Sequence, residues 1–203
     1  MKEPNRRQEM PKPTLNTGTL VWCGEHWINA LNEDGGDQPT AWFSLFHTRY
    51  SEAGEGNTLQ LVIPSAGIRT VCSDNPNLGR WVADRFLSQS SVKTPDATIE
   101  SGIFQRHGSI NDAPSWTIEW AGHRIDARWA VTEAPVISYG PFGSDAEYFT
   151  VLFFTMESTL ELDGQALSGQ PYPRDIWEKT IGGKRSSSLI AVNESLIHPR
   201  PET

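Results

Sequence analysis

Residues Glu147 to Leu162 read EYFTVLFFTMESTLEL. The segment is rich in aromatic and β-branched residues and ends at the turn pair Asp163-Gly164, which reads as a long strand entering a hairpin. One alternate set is Tyr148, Thr150, Leu152, Phe154, Met156, Ser158, Leu160 and Leu162; the other is Phe149, Val151, Phe153, Thr155, Glu157, Thr159 and Glu161. Both sets are apolar at first, and clean alternation begins only in the second half. The expectation is one strand, buried on both faces where it starts and exposed on one face where it reaches a rim.

Working outward, the same chemistry recurs. Thr19 to Asn29 and Thr40 to Tyr50 are strand-like and flank the loop residues NEDGGDQP; Leu59 to Pro64 and Ile68 to Ser73 follow as short strands. The helix signal comes next: Asp74 or Asn75 as N-cap, Pro76 in the first turn, and Leu78, Trp81, Val82 and Phe86 at helical spacing. Ala97 to His107, Ser115 to Trp120 and His123 to Thr132 read as strands, the last two joined at Ala121-Gly122. Val136 to Tyr139 and Arg185 to Glu194 complete the set, and Arg174 to Thr180 has room for one helical turn. The fold expected is mainly β, an antiparallel barrel of about nine or ten strands with one short amphipathic helix. Residues 1–17 read as an N-terminal arm, 18–198 as a single domain and 199–203 as a tail.

The net charge is −8, from 25 acidic and 17 basic side chains, and the basic residues never run beyond pairs such as Arg6-Arg7. That balance argues against nucleic acid and anionic membranes as partners. No apolar run approaches the ~20 residues of a membrane span, so a cytoplasmic protein is expected. Cys23 and Cys72 are too few for a disulfide framework and read as reduced core thiols.

The C-terminal third carries a second kind of signal. A long strand, the Asp163-Gly164 turn, Gly169 with Pro171 and Pro173, Trp177, the Gly182-Gly183 pair and the serine-rich strand Ser186 to Val192 resemble the closing segment of lipocalin-like barrel proteins, the group that includes carotenoid hydratases. The resemblance implies a cup-shaped barrel with an interior pocket for a greasy molecule. It carries over no catalytic residue.

Signatures for nucleotide, dinucleotide, serine-hydrolase and zincin chemistry are missing. What remains is acid–base chemistry without a cofactor, or binding alone. A carboxylate or imidazole among aromatics has its pKa moved toward neutrality, which makes polar residues inside strands the candidates. Glu157, after LFFTM, and His47, on a face with Ala41, Phe43 and Leu45, are the expected catalytic pair, against the alternatives of a solvated carboxylate and a hydrogen-bonded core histidine. Trp42, Trp129, Tyr139, Tyr148, Glu119 and His26 are the expected pocket residues. Glu119, with Arg124, Asp126 and Arg128, also fits a solvated sheet face. No local histidine pair has metal-ligand spacing, so no metal is expected.

The expected activity is that of an isomerase, cyclase, hydratase or lyase acting on a hydrophobic or aromatic small molecule. The alternatives are a carrier of such a ligand, and a structural or partner-binding β-domain whose interior is filled. Any of these leaves room for a homodimer.

Overall fold

The structure is a computed structural model that describes residues 18–33, 38–94, 98–110, 112–130 and 133–199. In chain order its elements are β1 (Gly18–Leu31), β2 (Ala41–Ser51), β3 (Gly56–Ile63), β4 (Ile68–Ser73), α1 (Pro76–Arg85), β5 (Ile99–His107), β6 (Ser115–Trp120), β7 (His123–Ala130), β8 (Val136–Phe142), β9 (Ala146–Thr155), β10 (Glu157–Leu162), β11 (Gln165–Ala166), β12 (Pro173–Arg174), α2 (Ile176–Ile181), β13 (Arg185–Ser186) and β14 (Ser188–Pro199). The expected arm, 1–17, lies outside the described residues.

The mainly β expectation agrees with the fold; the closed antiparallel barrel does not. Twelve strands form one sheet in the order β11-β10-β7-β6-β5-β4-β3-β2-β1-β14-β9-β8, with β12 and β13 as a separate pair. The sheet is mixed because β4 and β5 run parallel. A parallel neighbour needs a crossover, and α1 supplies it. Asn75 caps this helix by accepting from the amides of Asn77 and Leu78, and Pro76 occupies its first turn. Gly79 lets the helix lie close to the sheet, since a Cβ there would come within 2.6 Å of Ile99 Cγ2 and 2.9 Å of Ser73 Cβ. Among the described residues, no helix is long and apolar enough to cross a membrane.

The long C-terminal segment is two strands rather than one. β9 pairs with β14 and β8, whereas β10 pairs with β7 and β11. The chain passes from one end of the sheet to the other at Met156, where Thr155 Oγ1 accepts from the Glu157 amide at 2.9 Å and donates to the Ala130 carbonyl. This crossing folds the sheet over, and β10 arrives beside β1 without forming a ladder with it. Side chains join that seam instead. Asn29 Nδ2 donates to the Thr159 carbonyl at 3.2 Å, while Asn29 Oδ1 lies 2.8 Å from the hydroxyls of both Ser158 and Ser188.

The folded-over sheet encloses a filled interior. Trp27, Phe43, Leu45, Leu59 and Leu61 from β1 to β3 meet Trp116, Ile118, Ile125, Trp129 and Leu160 from β6, β7 and β10. Trp129 is the hinge of this packing, with ring centroids 5.2 Å from Trp27 and 5.6 Å from Phe43 in edge-on contacts. Its indole N–H donates to the Ile28 carbonyl at 2.9 Å. Where the resemblance to lipocalin-like proteins implies an interior ligand pocket, Trp27 packs edge-on against Trp116 at 5.9 Å and Trp129 at 5.2 Å within the buried core. A second apolar cluster lies on the opposite, outer face, where Trp22, Phe46 and Leu196 pack with Leu78, Val82 and Leu87 of the α1 region.

Candidate functional site

The outer face of β1, β2, β14 and β9 forms the floor of a pocket of about 510 Å³. Phe86 to Ser91, just after α1, forms one wall; Phe142 of β8 and Ile176 and Trp177 of α2 form the other. Strand alternation explains the floor. In β1 the residues Trp27 and Leu31 point into the interior, so Trp22, His26 and Ile28 point outward; in β2 the outward set is Trp42, Ser44 and Phe46.

His26 is built into a stack of rings. It lies 4.0 Å from Phe46 at an interplanar angle of 17°, and Phe46 in turn stacks on Phe86 at 5.0 Å. His26 Nε2 shares a hydrogen bond of 2.8 Å with Ser44 Oγ. Burial lowers the imidazole pKa to about 3, so the ring is neutral at physiological pH.

Glu194 enters the pocket because β14 carries a bulge. Its register shifts between Ala191 and Glu194 against β1 and between Val192 and Ser195 against β9, and Asn193 adopts φ 49°. The extra residue turns Glu194 and Leu196 to the outer face, whereas Ile190 and Val192 upstream belong to the interior. Glu194 then stands opposite Gly24, two residues along β1 from His26. Its Oε2 is buried with no hydrogen-bond partner, and burial raises the carboxyl pKa to about 7. A carboxylic acid that titrates near neutrality in an aromatic pocket can both donate and accept a proton.

Most polar atoms of the aromatic walls are already satisfied. Trp22 Nε1 donates to Thr48, Trp42 Nε1 donates to Gln60, and the Tyr148 hydroxyl lies 2.9 Å from Ser138 Oγ. Trp177 is the exception: its buried Nε1 has no partner. Arg174 holds its guanidinium 5.9 Å from the Trp42 ring centre at the rim.

Three of the expected pocket residues, His26, Trp42 and Tyr148, meet in this pocket. The others are elsewhere. Trp129 belongs to the filled interior, and Tyr139 sits half-buried on β8 outside the pocket lining. Glu119 is exposed beside Arg124, on the charged face that Arg124 and Asp126 also occupy. Glu157 is exposed at the start of β10, where the alternation had already turned polar. His47 does lie on the inner face, as its neighbours suggested, with Nδ1 2.8 Å from Asn57 Oδ1. Glu25, also on the inner side, is held by Arg106 at 2.9 Å, Arg49 at 3.2 Å and the Trp27 indole at 3.0 Å.

Sequence reading missed Glu194, Ser44 and Trp177 as site residues. For Glu194 the one available signal was Asn193, a residue type that tolerates positive φ, in the middle of an apparent strand. A larger depression of about 870 Å³ lies beside α1, but it is lined by a mixture of Arg80, Asp84, Lys93 and apolar residues and holds no comparable buried acid. Compared with known proteins, the chain matches no family model, no curated protein and no solved structure.

Proposed function

We propose that this protein binds a hydrophobic or aromatic small molecule in the outer-face pocket and moves a proton on it through Glu194, as a cofactor-independent isomerase, cyclase, hydratase or lyase. The observation that carries this reading is Glu194, whose buried Oε2 has no hydrogen-bond partner and which a bulge brings into an aromatic-rich pocket. A pocket of about 510 Å³ falls within the range used for small organic ligands. His26, neutral and fixed by Ser44, adds a directional hydrogen-bonding group without adding charge. In the cytoplasm, Cys23 and Cys72 would remain free thiols.

Proton transfer can be read without knowing the substrate. Incubating the protein in D2O with a library of apolar ketones, alkenols and dienes, followed by mass spectrometry, should show deuterium incorporation that Glu194→Gln abolishes. A second reading, a carrier, is favoured by the number of pocket polar atoms already satisfied internally. Library members that bind tightly yet never exchange a proton would establish the carrier and remove the enzyme.

A further inference from the structure

The Glu194 carboxyl is unusual for what surrounds it. The other charged or titratable groups in the pocket lining are His26 from β1, Tyr148 from β9 and Arg174 from β12; α2, β8 and the stretch after α1 contribute none. His26 is neutral, Tyr148 is hydrogen-bonded to Ser138, and Arg174 lies against Trp42 at the rim. Just beyond, Arg85 of α1 faces Asp145 at 3.7 Å and the Phe142 ring at 5.9 Å. Among the described residues, no cation forms an ion pair with Glu194. Six of the remaining lining residues carry aromatic rings, Trp22, Trp42, Phe46, Phe86, Phe142 and Trp177, and the others are aliphatic or uncharged polar side chains. Two of these rings, Trp42 and Phe142, already attract a guanidinium from within the chain.

An acid without a counter-ion, in a pocket that also presents six aromatic rings, is complementary to an organic cation. The carboxylate supplies the opposite charge, and the ring quadrupoles stabilise a desolvated ammonium. We infer that the ligand of this pocket is an apolar amine or quaternary ammonium compound, bound with its cationic centre at Glu194 and its hydrocarbon part against the aromatic walls. The inference rests on the small-molecule reading above and names the substrate class within it. The protein's net charge of −8 also favours the approach of a cation.

The cation and a neutral ligand predict opposite proton traffic. A bound cation favours ionised Glu194, so binding at pH 7, near the midpoint of this carboxyl, releases about half a proton. A neutral ligand that further excludes water favours the protonated acid, and binding takes protons up. The test is titration calorimetry of the full chain with (2-naphthylmethyl)trimethylammonium and with 2-naphthylmethanol, in buffers of different ionisation enthalpy, using wild type and Glu194→Gln. The expected result is a cation preference of roughly tenfold or more with proton release, lost in Glu194→Gln while near-ultraviolet circular dichroism shows an intact fold. Equal or tighter binding of the alcohol, proton uptake with the cation, or an unchanged preference in Glu194→Gln would each overturn the cation assignment but leave a small-molecule pocket standing. Binding of neither probe would remove both.

Discussion

Asn29 Oδ1 lies 2.8 Å from Ser158 Oγ, joining residues 129 positions apart at the seam where β10 reaches β1. The same amide holds Ser188 and the Thr159 carbonyl. A sheet that folds over without a closing ladder leaves buried polar groups along the seam, and one fully buried asparagine on β1 satisfies groups of both β10 and β14 there.

Replacing Asn29 with alanine should therefore cost more than an isolated hydrogen bond. Two hydroxyls and a carbonyl would lose a partner at once, and the expected loss is about 2–4 kcal/mol. Urea unfolding should show it as a lower midpoint with an unchanged slope, and Ser158→Ala should show a smaller loss. A cost below that of Ser158→Ala would mean that the seam is held by packing alone.

The two buried titrating groups of the pocket oppose one another in pH dependence. Glu194 has a pKa raised from 4.5 to about 7, so between those values the folded state holds a proton the unfolded state has lost, and stability falls as pH rises, by about 1.4 kcal/mol per pH unit. His26 has a pKa lowered from 6.5 to about 3, so over that interval the unfolded state holds the extra proton and stability rises with pH at a similar rate. Between pH 4.5 and 6.5 the two slopes cancel. Glu194→Gln should expose a stability that climbs through this window, and His26→Phe one that falls; urea midpoints measured at half-unit intervals of pH will show whether they do.

Two tryptophans should respond differently to loss of the indole N–H. Trp177 Nε1 has no partner, so Trp177→Phe should change stability by no more than about 0.5 kcal/mol. Trp129 Nε1 donates to the Ile28 carbonyl, and Trp129→Phe should cost about 1–3 kcal/mol by leaving that carbonyl unsatisfied and the interior underfilled. Thermal or urea denaturation of the pair provides the comparison.

Glu157 is a control for the pocket. It is exposed at the β9–β10 bend and outside the pocket lining. Glu157→Gln should leave ligand affinity, proton exchange in D2O and stability unchanged within about 0.5 kcal/mol, whereas Glu194→Gln should alter the first two. Impaired exchange in Glu157→Gln with unaltered binding would move the chemistry away from the outer face.

The order of elements and the faces of β1 and β2 follow from local rules. Alternation placed Trp22 and His26 on one side and Trp27 on the other, and Asn75-Pro76 set the start of α1, because strand pleat and helix capping depend on residues only a few positions apart. Which face of the sheet would be enclosed does not follow from them. The outer face of β1 and β2 is as aromatic as the inner, and the choice was made by Trp129 filling the interior across about a hundred residues of chain. Met156 gives no sign that the strand around it divides, since the break is imposed by β7 and β14 claiming its two halves at opposite ends of the sheet. Glu194 is the sharpest case: strict alternation from Ile190 would send it inward, and only a one-residue bulge, a matter of register between three strands, turns the carboxyl out into the pocket.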